Sequence, residues 1–222
     1  MRSVGFFLVL SVASVVSASA SAWPASSGTT RRGNAVALHL AFGVDGCTDD
    51  WCDHVDPLVF GRFAGGLRLY DFLSVDLQTD FFFGNPESVD TYHPDLYWAL
   101  FLGPEMRGIL PLDRLTSIPA DVWMGLGLGW MRTEAKGTFD LGILGKHSDT
   151  TVANGVALAW GFGMDEVLLK TLGLGLAFWL HKPWFDESCS SLADKCDDVD
   201  NDKVGVIWNF GLHVAYYLPV AL

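Results

Sequence analysis

Beyond its N-terminal segment, this 222-residue chain has no uncharged apolar run near the roughly 18 residues that a membrane-spanning helix needs. The absence contrasts with the composition, in which half the residues are hydrophobic and nine are Trp. Basic residues are few, 14 Lys and Arg against 26 Asp and Glu, for a net charge of −12. A chain so acidic is not expected to bind nucleic acid. Only four cysteines occur and the first is Cys47, which argues against a lipoprotein anchor at the N-terminus. Also missing is any placed set of nucleophile, base and acid. His54, His93, His147 and His181 fall on different elements at the outer rim, and Ser148 follows His147 directly, so the two point apart on a strand. The chain is therefore expected neither to be an enzyme nor to need a cofactor.

What is present begins with Met1 and Arg2, the apolar run Val4 to Val16, and the small residues Ala18 to Ala22. A charged start, an apolar core and a small-residue cleavage site predict a secretory signal peptide over residues 1–22. A short tail, 23–33, follows, and residues 34–222 make one domain.

Within that domain large apolar residues alternate with small or polar ones, the period of a strand with two unlike faces. The pattern recurs eight times: Ala35 to Val44, Leu58 to Tyr70, Leu73 to Phe83, Leu96 to Leu110, Asp121 to Met131, Val152 to Met164, Leu172 to Lys182 and Val204 to Leu218. In the sixth, Val156, Leu158, Trp160, Phe162 and Met164 face Gly155, Ala157, Ala159, Gly161 and Gly163. A soluble barrel with the greasy face inward would need Lys, Glu and Thr on the other face, and that face is mostly Gly and Ala. The greasy face is thus predicted to meet lipid. A closed barrel is the one sheet that satisfies every backbone group there, so the fold class is all-β: a closed, antiparallel, up-and-down, eight-stranded transmembrane β-barrel. Trp98, Trp130, Trp160 and Trp208, with Tyr216 at the opposite end, fall where aromatic girdles belong.

The connections around Asp71-Phe72, Pro111 to Pro119 and Asp165 to Thr171 are compact. The others, Asp45 to Asp56, Gly84 to Asp95, Thr133 to Thr150 and Pro183 to Asp202, are longer and hold most of the acidic residues. Such barrels have short inner turns and long outer loops, so the acidity belongs to the outer face, where a solvated surface is the plain reading. Asp198, Asp200 and Asp202 have the alternate spacing of a calcium loop but lack its Gly and distal Glu, and are weak candidates for a metal. Cys47 with Cys52 and Cys189 with Cys196 form two local pairs in exported loops, where disulfides are the expected state.

By parity six charges point inward: Arg62 and Arg68 on the second strand, Asp76 and Asp80 on the third, Glu105 and Arg107 on the fourth. Three cations and three anions make a neutral network: Arg68 opposite Asp76 leaves Arg62 diagonal to Asp80, and a register slip of two exchanges the direct and diagonal pairs. Either a structural plug or the gate of a narrow pore could be built from it. His39 and His213 are inward at similar depth on the first and last strands, placed for packing or for a lumen metal or proton site.

The last strand carries a further sign. Asn209, Gly211, Val214 and Tyr216 fit a polar-x-Gly-x-x-apolar-x-aromatic pattern, and the chain resembles the small bacterial outer-membrane barrels of the OmpA, OmpX and OmpW group, with six residues following the aromatic. The resemblance implies residence in the outer membrane with both termini periplasmic, contact with outer-membrane lipid and lipopolysaccharide, recognition of the last strand by the barrel assembly machinery, and a monomer. It implies an inward Arg and carboxylate plug like that of OmpA-type barrels, or a hydrophobic conduit like that of OmpW-type ones. The function expected is structural or surface-interacting, through acidic, disulfide-stapled extracellular loops; the alternative is a narrow channel for small or hydrophobic solutes.

Overall fold

The computed structural model describes residues 34–48, 55–86, 92–140, 145–169 and 171–220. The expected signal peptide and tail lie outside the described residues, as do Asp49, Asp50, Trp51, Cys52, Asp53, His54, Glu87 and Asp90 and the side chains of Asp56, His93, Asp95 and Asp140. Among the described residues nine strands form: β1 (Ala35–Cys47), β2 (Val55–Leu69), β3 (Leu73–Pro86), β4 (Tyr92–Pro111), β5 (Ala120–Asp140), β6 (Lys146–Leu169), β7 (Leu172–Ser190), β8 (Lys195–Asp198) and β9 (Ile207–Pro219).

Eight of them close a ring. Each strand from β1 to β7 pairs antiparallel with its successor, β7 pairs with β9, and β9 returns to β1 from Ala35 opposite Pro219 to Cys47 opposite Ile207. No ladder in the ring is left open, which is the condition for a sheet to stand in hydrocarbon. The alternation places one residue set in and one out. Leu38, Leu40 and Phe42 on β1, Met124, Leu126 and Leu128 on β5, and Leu158, Trp160 and Phe162 on β6 are exposed on the outer surface, while Ala37, His39, Trp123, Ala157 and Ala159 are buried inside. The outer belt is the lipid face of a transmembrane barrel.

The inner set is small on β6 because it is large on the two strands beside it, where Trp123 of β5 stands opposite Gly163 and Trp179 of β7 opposite Gly161. A Cβ on Gly161 would run into the Trp179 indole, and one on Gly163 would meet Trp123. Both tryptophans therefore lie flat across a glycine wall, and each is almost fully buried.

The long connections differ from expectation. Residues 133–150 are mostly strand, since β5 runs to Asp140 and β6 starts at Lys146. Likewise β7 continues to Ser190 and turns back through β8, with Cys189 opposite Cys196. Apolar alternation ends where lipid ends, whereas hydrogen bonding continues, so the outward set simply becomes polar: Arg132, Glu134, Lys136 and Thr138 on β5. One side of the barrel is thus taller than the other, with β5, β6 and β7 spanning 21, 24 and 19 residues against 13 in β1. The last strand begins at Ile207 rather than Val204, and Val204 is buried at the mouth.

At the opposite end the turns are short. In the β2–β3 turn Tyr70 and Asp71 both take positive φ, 52° and 68°, a conformation unusual for either side chain. Three bonds fix it: Asn34 Oδ1 accepts from the Tyr70 amide at 3.0 Å, Arg68 donates to the Asp71 carbonyl at 2.9 Å, and Arg114 donates to the Asp71 carboxylate at 2.6 Å.

Candidate functional site

The barrel interior is the first candidate. β2 and β3 pair with Arg62 opposite Asp80 and Arg68 opposite Ser74, the register that leaves Arg68 diagonal to Asp76. Arg62 reaches Asp80 at 3.3 Å and Glu105 at 2.6 Å, and also donates to Gln78. Glu105 accepts again from Arg107 Nε at 2.6 Å. Arg68 does not pair with Asp76. It crosses the lumen to Asp121 on β5 at 2.8 Å and packs on the Tyr217 ring. Asp76 accepts from Ser74 at 2.9 Å, with Arg107 at 3.7 Å and His39 at 3.8 Å. The reason is reach: an inward Arg spans a narrow lumen, so a partner across the barrel competes with the diagonal neighbour on the next strand.

His39 and His213 stack with ring centroids 5.2 Å apart and planes 10° from parallel. One terminal nitrogen of Arg107 lies between them, 3.2 Å from His39 Nδ1 and 3.4 Å from His213 Nε2. His213 Nδ1 lies 2.7 Å from Asp165, fitting an imidazole that donates there and accepts from Arg107. A guanidinium thus occupies the place a lumen metal would take. His181 is not at the outer rim but buried in the lumen, 2.8 Å from Asp80 and flanked edge-on by Phe82 and Phe101.

The column is therefore larger than six charges. Three arginines meet the five carboxylates of Asp76, Asp80, Glu105, Asp121 and Asp165, with three imidazoles among them, in place of the expected three-against-three balance. Gln78 and His181 stand at inward parity in mid-strand and Asp121 opens the fifth of the alternating segments, whereas Asp165 reads from sequence as the start of a turn. Parity carried past the apolar run finds all four. Arg62 lies 4.7 Å over Trp179 and Arg107 4.6 Å over Trp123, so indole faces cover the guanidiniums that carboxylates do not. Above the charges, Phe60, Phe82, Phe101, Met131, Phe185 and Ile207 cap the outer end.

Nothing in this stack shows an open path. Trp179, Arg68, Arg107, Phe101, His181 and His213 are among the most deeply buried side chains, each exposing under 2 % of its surface. Side chains lining a water-filled pore would be wetted. A small recess remains at the outer mouth, lined by Cys47, Tyr97, Thr133, Phe185, Val204 and Ile207.

The outer end is the second candidate. Cys189 and Cys196 are disulfide-bonded at the tip of β7 and β8; Cys47 is also disulfide-bonded, while Cys52 lies outside the described residues. Beside the bridge, Asp149 of β6 accepts from Ser190 at 3.0 Å, Ser191 at 3.1 Å and the Leu192 amide at 2.9 Å. Burial pushes its carboxyl up, but the Leu192 amide and the two hydroxyls outweigh that and hold it below the usual range. Asp198, Asp200 and Asp202 do not converge: Asp200 pairs with Lys203 at 3.2 Å and takes the Asp202 amide at 3.3 Å. Among the described residues the one group with metal-ligand spacing is Glu187 with Cys189 and Cys196, whose sulfurs are already joined to each other. On the last strand Asn209 and Gly211 face inward and are buried, and Val214 and Tyr216 face outward.

No protein-family model matches the sequence, and no curated protein is similar to it. Among solved structures, a major outer membrane protein from Thermus thermophilus superposes with a TM-score of 0.58 at 12% identity, over 84% of this chain and 100% of that one. Neisserial surface protein A superposes with a TM-score of 0.55 at 11% identity, over 83% and 98%. What is shared at these identities is the fold, and the chain is accordingly a small eight-stranded transmembrane β-barrel of the architecture found in bacterial outer-membrane proteins.

Proposed function

We propose that the protein is an outer-membrane barrel that works at its outer surface rather than through its lumen. The supporting observation is the sealed interior: a column of ion pairs, stacked histidines and two tryptophans under an aromatic cap, with its side chains buried throughout. Removing either partner of such a buried pair strands a charge and costs about 3–5 kcal/mol, so the column acts as a structural plug. The tall end, formed by β5 to β8, carries the acidic residues Asp186, Glu187, Asp194, Asp197 and Asp198 on exposed positions and stands outside the cell. Both ends of the barrel chain, Ala35 and Pro219, sit together at the short-turn end, in the periplasm.

The test is labelling of intact cells. A membrane-impermeant amine reagent should reach Lys195 and Lys203 of the tall end in whole cells, and the protein should fractionate with the outer membrane. Labelling that requires broken cells would reverse the orientation and remove the surface role.

A further inference from the structure

The outward face of β5 changes character one step above the lipid belt. Trp130 is the last large apolar residue, 41 % exposed, and after it come Arg132, Glu134 and Lys136 on the same side. Neighbouring strands extend the row in register. Leu102, Trp130, Val156 and Trp184 stand side by side across β4 to β7; the next rows place Leu100 beside Arg132 and Asn154, then Trp98 beside Glu134 and Val152. Arg132 lies 6.0 Å over the Trp98 ring. Glu134 is shared, 3.4 Å from Arg132 and 3.0 Å from Lys136. The hydrogen bond from Lys136, helped by the one from Arg132, holds its carboxyl below the usual range, so it is charged, and one negative group meets two positive ones. Both cations stay accessible, with side chains 36 % and 49 % exposed.

That placement is unusual in a molecule of net charge −12. The exposed cations of the far loop, Lys195 and Lys203, are matched one to one with Asp197 and Asp200. Arg132 and Lys136 instead share the single carboxylate of Glu134, just above the continuous apolar outer surface and beside indoles of the kind that favour the membrane interface. Glu187 closes the patch on the β7 side, two strands from Arg132, so an anion is directed over β5 towards Trp98.

We propose that Arg132 and Lys136, with Trp98 and Trp130, form a docking site for the phosphate-bearing headgroup of an outer-leaflet glycolipid. The site rests on the outer-surface orientation proposed above and adds to it a lipid partner and the residues that hold it. Arg132 supplies a planar fork for phosphate oxygens and Lys136 a second point charge. The indoles pack against the sugar and the start of the acyl chains.

The experiment uses the folded barrel in a zwitterionic detergent, its fold confirmed by heat-modifiable gel mobility, with bound lipid counted by native mass spectrometry. Diphosphorylated lipid A should be retained by the wild type, R132Q/K136Q should weaken retention on the order of tenfold, and K195Q/K203Q should not. Chemically dephosphorylated lipid A should bind the wild type as weakly as the double variant binds the native lipid, and inorganic phosphate at millimolar concentration should not displace the lipid. Equal retention by wild type and R132Q/K136Q, indifference to dephosphorylation, or displacement by inorganic phosphate would each overturn the site. The binding assay contains no cells, so a wrong orientation would show in the labelling experiment and a wrong site would show here.

Discussion

At position 68 an arginine passes over the carboxylate diagonal to it and takes one across the barrel. Arg68 and Asp121 meet at 2.8 Å with both side chains buried, while Asp76 is held by Ser74. The two arrangements give different double-mutant cycles. Arg68→Ala and Asp121→Ala should each destabilise the barrel by about 3 kcal/mol or more, and the double variant should recover about 1–2 kcal/mol of the summed loss. Arg68→Ala with Asp76→Ala should be close to additive, in urea unfolding followed by tryptophan fluorescence in lipid vesicles. Asp149 gives a second test at this scale. Its folded carboxyl titrates below the ordinary value of 3.8, so its contribution is complete above that pH and is lost as pH falls through the lower folded value. Protease protection of the Ser190–Leu192 segment should therefore hold at neutral pH and fade only below about pH 4. Asp149→Asn should remove most of that protection at neutral pH. Parity alone placed Arg62, Arg68, Asp76, Asp80, Glu105 and Arg107 inside. The pairing of Arg62 with Asp80 on the next strand followed from the same parity and is present; Asp121 as the partner of Arg68 was not legible, because a pattern along one strand carries no information about which side chain reaches across a lumen.

Among the elements, the strands of the belt could be read from their alternation and the walls above it could not. The signal for β5 was the contrast of Met124, Leu126 and Leu128 with Gly125, Gly127 and Gly129, and it faded at Arg132 although the ladder with β6 continues to Asp140 opposite Lys146. Lipid imposes the apolar set; above lipid the hydrogen bonds persist without it. The glycine wall of β6 was legible as small residues, and its purpose becomes clear only beside β7. A bulky side chain at Gly161 would displace the Trp179 indole that rests on it. Gly161→Leu should destabilise the barrel by about 1–3 kcal/mol through overpacking, whereas Gly108→Leu, whose added Cβ would come no closer than 4.0 Å to the Met124 carbonyl oxygen on the outer face, should be close to neutral. At the tip, Cys189→Ser with Cys196→Ser should leave the barrel folded by gel mobility and make the β7–β8 hairpin sensitive to protease, since the seven-residue separation of the pair confines the constraint to that hairpin.

For the molecule as a whole, the sealed lumen and the one tall, acidic wall are what the proposed outer-surface role rests on. Closure is cooperative, because Arg62 bridges Asp80 and Glu105, Glu105 bridges Arg62 and Arg107, and Arg107 sits between two stacked imidazoles. No single side chain is a lid, and the tryptophans that cover the arginines are pinned by the glycine wall. The central claim is tested most directly by single-channel recording of the refolded protein in a planar bilayer at neutral pH. The closed column predicts a silent bilayer from protein whose fold is confirmed by heat-modifiable mobility, with conductance appearing only when Glu105→Gln or Arg107→Gln breaks the column. Reproducible stepped openings from the wild-type protein would contradict it and make the same column the gate of a channel.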